Sequence, residues 1–344
     1  MTAYSQTQPG AAAGLLSQAP PLVEEGLQRV RSVMERWIAS ELPAVQELCR
    51  RLEGYQGKML RPTLALLSGA AFADEPEQPL CEDLIVIAAV VEMVHLATLV
   101  HDDVLDEAVT RRKGASINQL CGNETAVILG DYLISRSFHL CSTLPSSVPA
   151  LRIGQTTGRV CEGELLQLRH RGDFDLDEAT YFAIIERKTG SLVGAACELG
   201  AWASGASEEQ AAAAKRYGEL VGTAFQIRDD LLDLTGEERV VGKTLGRDLA
   251  KGKLTLPVIH HLRIASEERR RGTLALLKQA LGDKTGKTVR RAMRQALAET
   301  GSIEHAEAAA RRCVEQAQAT LPCPAGPSRA ALLELAEAVL TRSW

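Results

Sequence analysis

Two strongly apolar stretches of this chain run into the same acidic pattern. Asp102, Asp103 and Asp106 stand in Asp-Asp-Val-Leu-Asp, and Asp229, Asp230 and Asp233 in Asp-Asp-Leu-Leu-Asp. Both stretches read as helix, and a helix brings positions i and i+4 to one face. Carboxylates gathered beside apolar surface repel one another and lose hydration, so the arrangement needs a cation among them. Hard divalent ions suit it best, and Mg²⁺ characteristically takes one or two carboxylates together with substrate phosphates. One such pattern reads as a solvated helix face. Two copies, each followed closely by lysines or arginines, point to a metal–diphosphate site.

The rest of the composition is consistent with a helical protein. At 344 residues the chain is long enough for one large domain or two smaller ones. Aromatics make up only 4% while hydrophobic residues reach 45%, with Ala and Leu prominent and few alternating β-branched runs, so the expected class is all-α. A net charge of -5, with no basic face carrying interleaved aromatics, argues against nucleic acid as a partner. Cys49, Cys81, Cys121, Cys141, Cys161, Cys197, Cys313 and Cys323 form no CxxC pair. They read as reduced, buried, small apolar residues of a cytoplasmic protein. Residues 1–21 lack the basic start of a signal peptide and read as a disordered tail. The longest apolar run, Leu84 to Val100, is interrupted by Glu92 and His95 and falls short of the ~20 residues of a membrane span. It reads as a helix buried on all sides, with no stable membrane insertion expected.

Periodicity and breakers predict a succession of helices over residues 22–344, in one domain. Helix is expected over Leu22–Leu52 with a break at Pro43, and again from Arg61-Pro62, where proline suits a first turn. A long helix should run past Asp106, followed by a basic loop from Arg111 to Gly114 and further helices over 124–140, 155–169, 176–202 and 215–234. The small residues between Gly190 and Gly200 permit close helix packing, and Lys188-Thr189-Gly190 predicts a break that frees a backbone carbonyl. Residues 235–253 read as a charged loop, and helix resumes from Thr255 to the C-terminus.

Four more clusters carry chemistry. Lys58 and Arg61, three apart at a helix start, make an anion site. His95 lies two turns before Asp102 on the same helix face, in reach of a substrate. Arg111 and Arg112 follow Asp106 closely, and paired guanidiniums hold phosphate oxygens in bidentate fashion. The run from Gly242 through Lys243 to Asp248, then Lys251-Gly252-Lys253, reads as a loop over phosphates, but its order is not that of a nucleotide P-loop.

In this order the motifs GKMLRP, HLATLVHDDVLD, RR, GDYL, GELLQL, KTG, FQIRDDLLD and GKTLGRDLAKGKLTLP, from about Gly57 to Pro257, are similar to those of the trans-isoprenyl diphosphate synthases, the polyprenyl synthase family. The resemblance implies a single bundle of antiparallel helices around a deep central cavity, usually homodimeric, with a heteromeric partner as an alternative. It implies that the aspartate-rich helices face each other and hold three Mg²⁺ ions on an allylic diphosphate, Asp102 and Asp106 binding two and Asp229 the third. It assigns Arg111, Lys188, Lys243 and Lys253 to the allylic diphosphate, and Lys58, Arg61, His95 and Arg112 to isopentenyl diphosphate. The Lys188 carbonyl, Thr189 hydroxyl and Gln226 amide would stabilise an allylic cation. Where this chain has Met59, the family usually has a third basic residue. A terpene cyclase would normally show a different second motif and no isopentenyl site. A non-catalytic subunit would be expected to lose aspartates or cations that this chain keeps.

Ala97 and Thr98 lie about one turn before Asp102, where an aromatic closes the pocket of short-chain members. With side chains this small there, the expected product is a long all-trans chain of about six to eight or more isoprene units, suited to a quinone side chain. Met93, Ile134 and Phe138 are candidates for a deeper floor. A short farnesyl- or geranylgeranyl-type product is the alternative.

Overall fold

The computed structural model describes residues 20–55, 57–73, 79–111, 114–236, 245–281, 287–321 and 323–342. The tail assigned to residues 1–21 lies outside these, except that Pro20 and Pro21 already belong to the start of the first helix. Arg112 and Lys243 also lie outside them. Among the described residues the protein is helical, and strand is confined to the antiparallel pair β1 (Thr110–Arg111) and β2 (Gly114–Ala115). Arg111 and Gly114, the two ends of the basic loop expected there, are thus paired in a two-stranded ribbon.

By density of contacts the chain divides into two compact units. The first takes its described residues from Met1–Pro149, Ala196–Ala211 and Cys323–Ala338. The second takes them from Ala150–Ala195, Ala212–Pro322 and Val339–Trp344. In the first unit, α1 (Pro21–Ile38) and α2 (Pro43–Arg51) each open on a proline, where a missing N–H costs nothing. A 3₁₀ turn (Leu52–Tyr55) leads to α3 (Leu60–Phe72), and α4 (Glu82–Leu105) packs against α1, α3 and the helix at Asn123–Ser142. α4 is long and apolar enough to cross a membrane, but most of it is buried within this unit, from Leu84 through Val94 and on to Val100. Its apolar residues on every side therefore meet other helices. α5 (Ile117–Cys121) and α6 (Asn123–Ser142) follow the ribbon.

The second unit holds α7 (Val148–Arg169) from Ala150 onward, α8 (Glu178–Ile185) and a π-helical turn at Glu186–Gly190 that passes directly into α9 (Ser191–Ala203), whose residues from Ala196 belong to the first unit. The helix break expected at Lys188-Thr189-Gly190 is thus a widened turn. The chain continues through α10 (Glu208–Thr235), α11 (Arg247–Ala250), α12 (Leu256–Ile264), α13 (Glu267–Ala280), α14 (Lys287–Ala298) and α15 (Ser302–Thr320), and ends in α16 (Pro327–Thr341), most of which belongs to the first unit. Tyr181, Ile184, Ile227, Leu231, Leu256, Met293 and Ala306 form the core of the second unit. The unpaired cysteines depart from the expectation of uniform burial: Cys49, Cys141, Cys197 and Cys323 are buried, but Cys81 and Cys161 are exposed.

Candidate active site

The first acidic motif closes α4. Asp102 and Asp106 are one turn apart and half-buried, and the Asp106 N–H donates to the Asp102 carbonyl at 2.8 Å. Asp103 lies 100° further round the helix and is fully buried. Its carboxylate accepts the Tyr55 hydroxyl at 2.7 Å and the Arg111 Nε–H at 3.0 Å, and it pairs again with the Arg111 terminal nitrogen. Arg111 reaches back because the chain reverses at Glu107, which adopts a left-handed φ of 45°, and the β1–β2 ribbon then fixes it. Burial works against the Arg111 charge, but the hydrogen bond and charge of Asp103 outweigh it and hold the guanidinium above its ordinary range. Burial and the Asp103 hydrogen bond push the Tyr55 phenol up in turn.

The same unit places the candidates for the second substrate. Lys58 is exposed and Arg61 half-buried, its Nε enclosed, with burial lowering its pKa against the opposing charge of Glu92. Glu92 is buried one turn before the half-buried His95. Met59 caps α3 in a left-handed conformation, φ 54°, with its side chain in the core. The position that usually carries a cation therefore carries an apolar anchor here. Ala97 is fully buried, and the half-buried Thr98 donates its hydroxyl to the His95 carbonyl at 2.8 Å. Met93 is buried, and Ile134 and Phe138 on α6 are half-buried. In GDYL, Gly130 makes room for the His101 ring: a Cβ there would sit 2.1 Å from His101 Nε2. That histidine directly precedes Asp102, so this motif seats the acidic end of α4.

The second motif sits on α10. Asp229 is half-buried and accepts from Arg342 Nη2 at 3.3 Å, while the Arg342 guanidinium lies 4.0 Å from the Phe225 ring centroid. Asp230 is buried and accepts the Tyr181 hydroxyl at 2.7 Å and the Gln226 amide at 2.8 Å. Burial, then the nearby Asp248 charge, raise the Asp230 pKa well above the carboxylate range against those two hydrogen bonds. Asp233 accepts the Arg247 and Asp248 N–H groups at 3.4 and 3.2 Å and so caps α11.

Beside Asp230 lies a cavity of about 90 Å³ lined in part by Lys188, Thr189, Gln226, Asp248 and Lys253. Thr189 donates its hydroxyl to Gln226 Oε1 at 2.8 Å, which sets the amide so that its nitrogen meets Asp230. Lys188 Nζ pairs with Glu164 and donates to Gln167 Oε1 at 3.1 Å. Gly163 brings α7 against the π turn, since a Cβ there would stand 2.6 Å from the Lys188 backbone nitrogen. GELLQL therefore seats and pairs Lys188. The π turn takes up its extra residue with the Ser191 N–H on the Glu186 carbonyl, while the Ser191 hydroxyl bonds the Arg187 carbonyl at 2.5 Å.

Sequence reasoning missed Tyr55, Glu164, Gln167, Tyr181 and Arg342. Glu164 and Gln167 stand inside a motif whose role had no local signal, and Arg342 lies far beyond the last motif. Among the described residues no three acidic, histidine or cysteine side chains converge enough to hold an ion alone. The half-buried carboxylates of Asp102, Asp106 and Asp229 are oxygen donors of the kind a hard divalent cation takes, with water and phosphate completing its shell.

Among the described residues, an all-helical fold with half-buried carboxylates and with lysines beside a small cavity suits chemistry on an anionic substrate. The chain belongs to the polyprenyl synthetase family of prenyltransferases, whose sequence profile matches residues 43–300. It is 35% identical to heptaprenyl diphosphate synthase component 2 of Geobacillus stearothermophilus over 91% of this chain and 95% of that one. It is 30% identical to octaprenyl diphosphate synthase of Escherichia coli over 95% of this chain and 99% of that one. Among solved structures, a polyprenyl synthase from Caulobacter crescentus complexed with calcium and isoprenyl diphosphate superposes with a TM-score of 0.86 at 29% identity, covering 98% and 100% of the two chains.

Proposed function

We propose that this prenyltransferase is Mg²⁺-dependent and condenses an allylic diphosphate with isopentenyl diphosphate repeatedly, giving a long all-trans polyprenyl diphosphate for quinone side chains. The observation that carries the reading is the cavity beside Asp230, where Lys188 and Lys253 meet the Thr189–Gln226 pair. Bound Mg²⁺, three ions by the family pattern, supplies the charge that lets diphosphate leave. Asp102, Asp106 and Asp229 are the carboxylates to hold it, because Asp103 and Asp230 are already engaged by tyrosines. Asp233 is committed mainly to capping α11.

Arg111, Lys188, Lys253 and, outside the described residues, Lys243 bind the allylic diphosphate. As its C–O bond breaks, the electron pair leaves with diphosphate and the allylic carbon becomes cationic. The oxygens of Thr189 and Gln226 present negative dipole ends towards such a cation. Lys58, Arg61, His95 and Arg112 hold isopentenyl diphosphate, whose double bond attacks that carbon. The departing diphosphate takes the proton that is then lost, so no side-chain base is required.

The relatives' names, heptaprenyl and octaprenyl, support the long product. Exposed Leu120, Val127 and Ile128 on α5 and α6 support a subunit interface, which we assign to a cytoplasmic homodimer. The word "component" in the Geobacillus name favours a second reading, a heteromeric synthase. Purified chain given farnesyl diphosphate and isopentenyl diphosphate tests both: long products from the single chain are expected, and inactivity without a partner selects the second reading. Thr98→Phe should shorten the product, and a wild-type product already at farnesyl size overturns the long-chain assignment.

A further inference from the structure

α14 carries a charge pattern that prenyl transfer does not use. It holds Lys287, Arg290, Arg291 and Arg294 and no acidic residue, in a chain whose net charge is -5. Their spacing of three, four and seven residues gathers them on one face. Val289, Met293 and Leu297 bury the other side of the helix and pin it against α13 and α15. The cations border an open groove of about 510 Å³ with Leu234, Ala298 and Ile303 in its lining and no acidic side chain among the described lining residues. Lys287 and Arg290 also interact with the protein's own groups. Arg291 and Arg294 are exposed.

We propose that this face docks on an anionic lipid surface. The groove is too open for a free phosphate to be held tightly. It also adjoins the C-terminal end of α10 at Leu234 and Gly236, where the helix dipole is negative and disfavours an enclosed anion. A row of hydrated cations instead matches a plane of headgroup phosphates, where each basic side chain strengthens binding roughly fivefold. The proposal rests on the long-chain reading only for its purpose, since a diphosphate with a long hydrocarbon tail must pass to a bilayer. The test needs no turnover, so the two readings fail separately.

Sedimentation of the purified full chain with phosphatidylcholine vesicles, with and without phosphatidylglycerol, measures it. Preference for the anionic vesicles is expected, weakening with salt. Arg291→Ala with Arg294→Ala should weaken that binding roughly 25-fold, while Arg311→Ala with Arg312→Ala, an equal charge loss on α15, should leave it intact. Turnover of a short allylic substrate should be unchanged in both double variants. Equal binding to both vesicle types, or equal loss in the two double variants, overturns the proposal. Binding of inorganic diphosphate that the α14 pair abolishes, without any vesicle preference, overturns it in favour of a free anion.

Discussion

Asp103 and Asp230 hold the same place in the same five-residue pattern, and each accepts a tyrosine hydroxyl at 2.7 Å. Their remaining surroundings differ in sign. Asp103 is paired with the Arg111 guanidinium, whereas Asp230 takes a neutral amide and feels the charge of Asp248. The spacing fixes the phase of the middle residue, which turns inward in both motifs, while Asp102, Asp106 and Asp229 stay half-exposed and Asp233 is buried as well. It does not fix what the middle residue meets. One motif is a neutralised anchor, the other an anchor whose charge its surroundings oppose.

The outer aspartates give the sharpest test of that division. Asp102→Ala and Asp229→Ala should each cut turnover at least ~100-fold, the scale of losing a preorganised electrostatic group. Chelation should abolish activity and Mg²⁺ restore it; full turnover in metal-free buffer breaks the assignment.

Stability separates the middle pair. Asp103→Asn strands the Arg111 charge and should cost roughly 3 kcal/mol in denaturant unfolding. Asp230→Asn replaces a carboxyl that the fold holds in its neutral form and should stay within about 1 kcal/mol. The sign of the pH dependence follows from the raised Asp230 pKa. Above the ordinary carboxylate range the unfolded chain has released a proton that the fold still keeps, so wild type loses stability relative to Asp230→Asn as pH rises towards the folded pKa. Equal costs for the two variants would erase the distinction.

The smallest effect concerns Arg342, whose guanidinium holds Asp229. Freeing that carboxylate with Arg342→Ala should lower the Mg²⁺ concentration for half-maximal activity by up to roughly fivefold, the range of a single ion pair. An unchanged or higher requirement would mean that Arg342 supports the metal-bound state.

Helix positions were legible because their signals are local: prolines at the starts of α1 and α2, and a run of apolar residues long enough to require burial on every side of α4. The acidic pattern likewise marked the half-exposed carboxylates Asp102, Asp106 and Asp229, but not the burial of Asp233. The partners of the middle aspartates were hidden because they arrive from 48 and 49 residues away. The ribbon at Arg111 was hidden for another reason, since it depends on a left-handed Glu107 that no propensity favours. The π turn read as a break because glycine after two polar residues marks an irregularity without saying of which kind. Met59 was noticed as a departure, and only the fold reveals that its side chain has gone into the core.

The pairing of Lys188 with Glu164 has a bearing on selectivity. Any anion that takes this lysine competes with a carboxylate already attached to a rigid helix. Orthophosphate or a monophosphate ester brings little more charge than that carboxylate and gains little by replacing it. A diphosphate has a second phosphoryl group to engage Lys253 or a metal while the first draws Lys188 away, so the exchange favours it. Under the proposed role of Lys188, Glu164 thereby favours a diphosphate over a monophosphate.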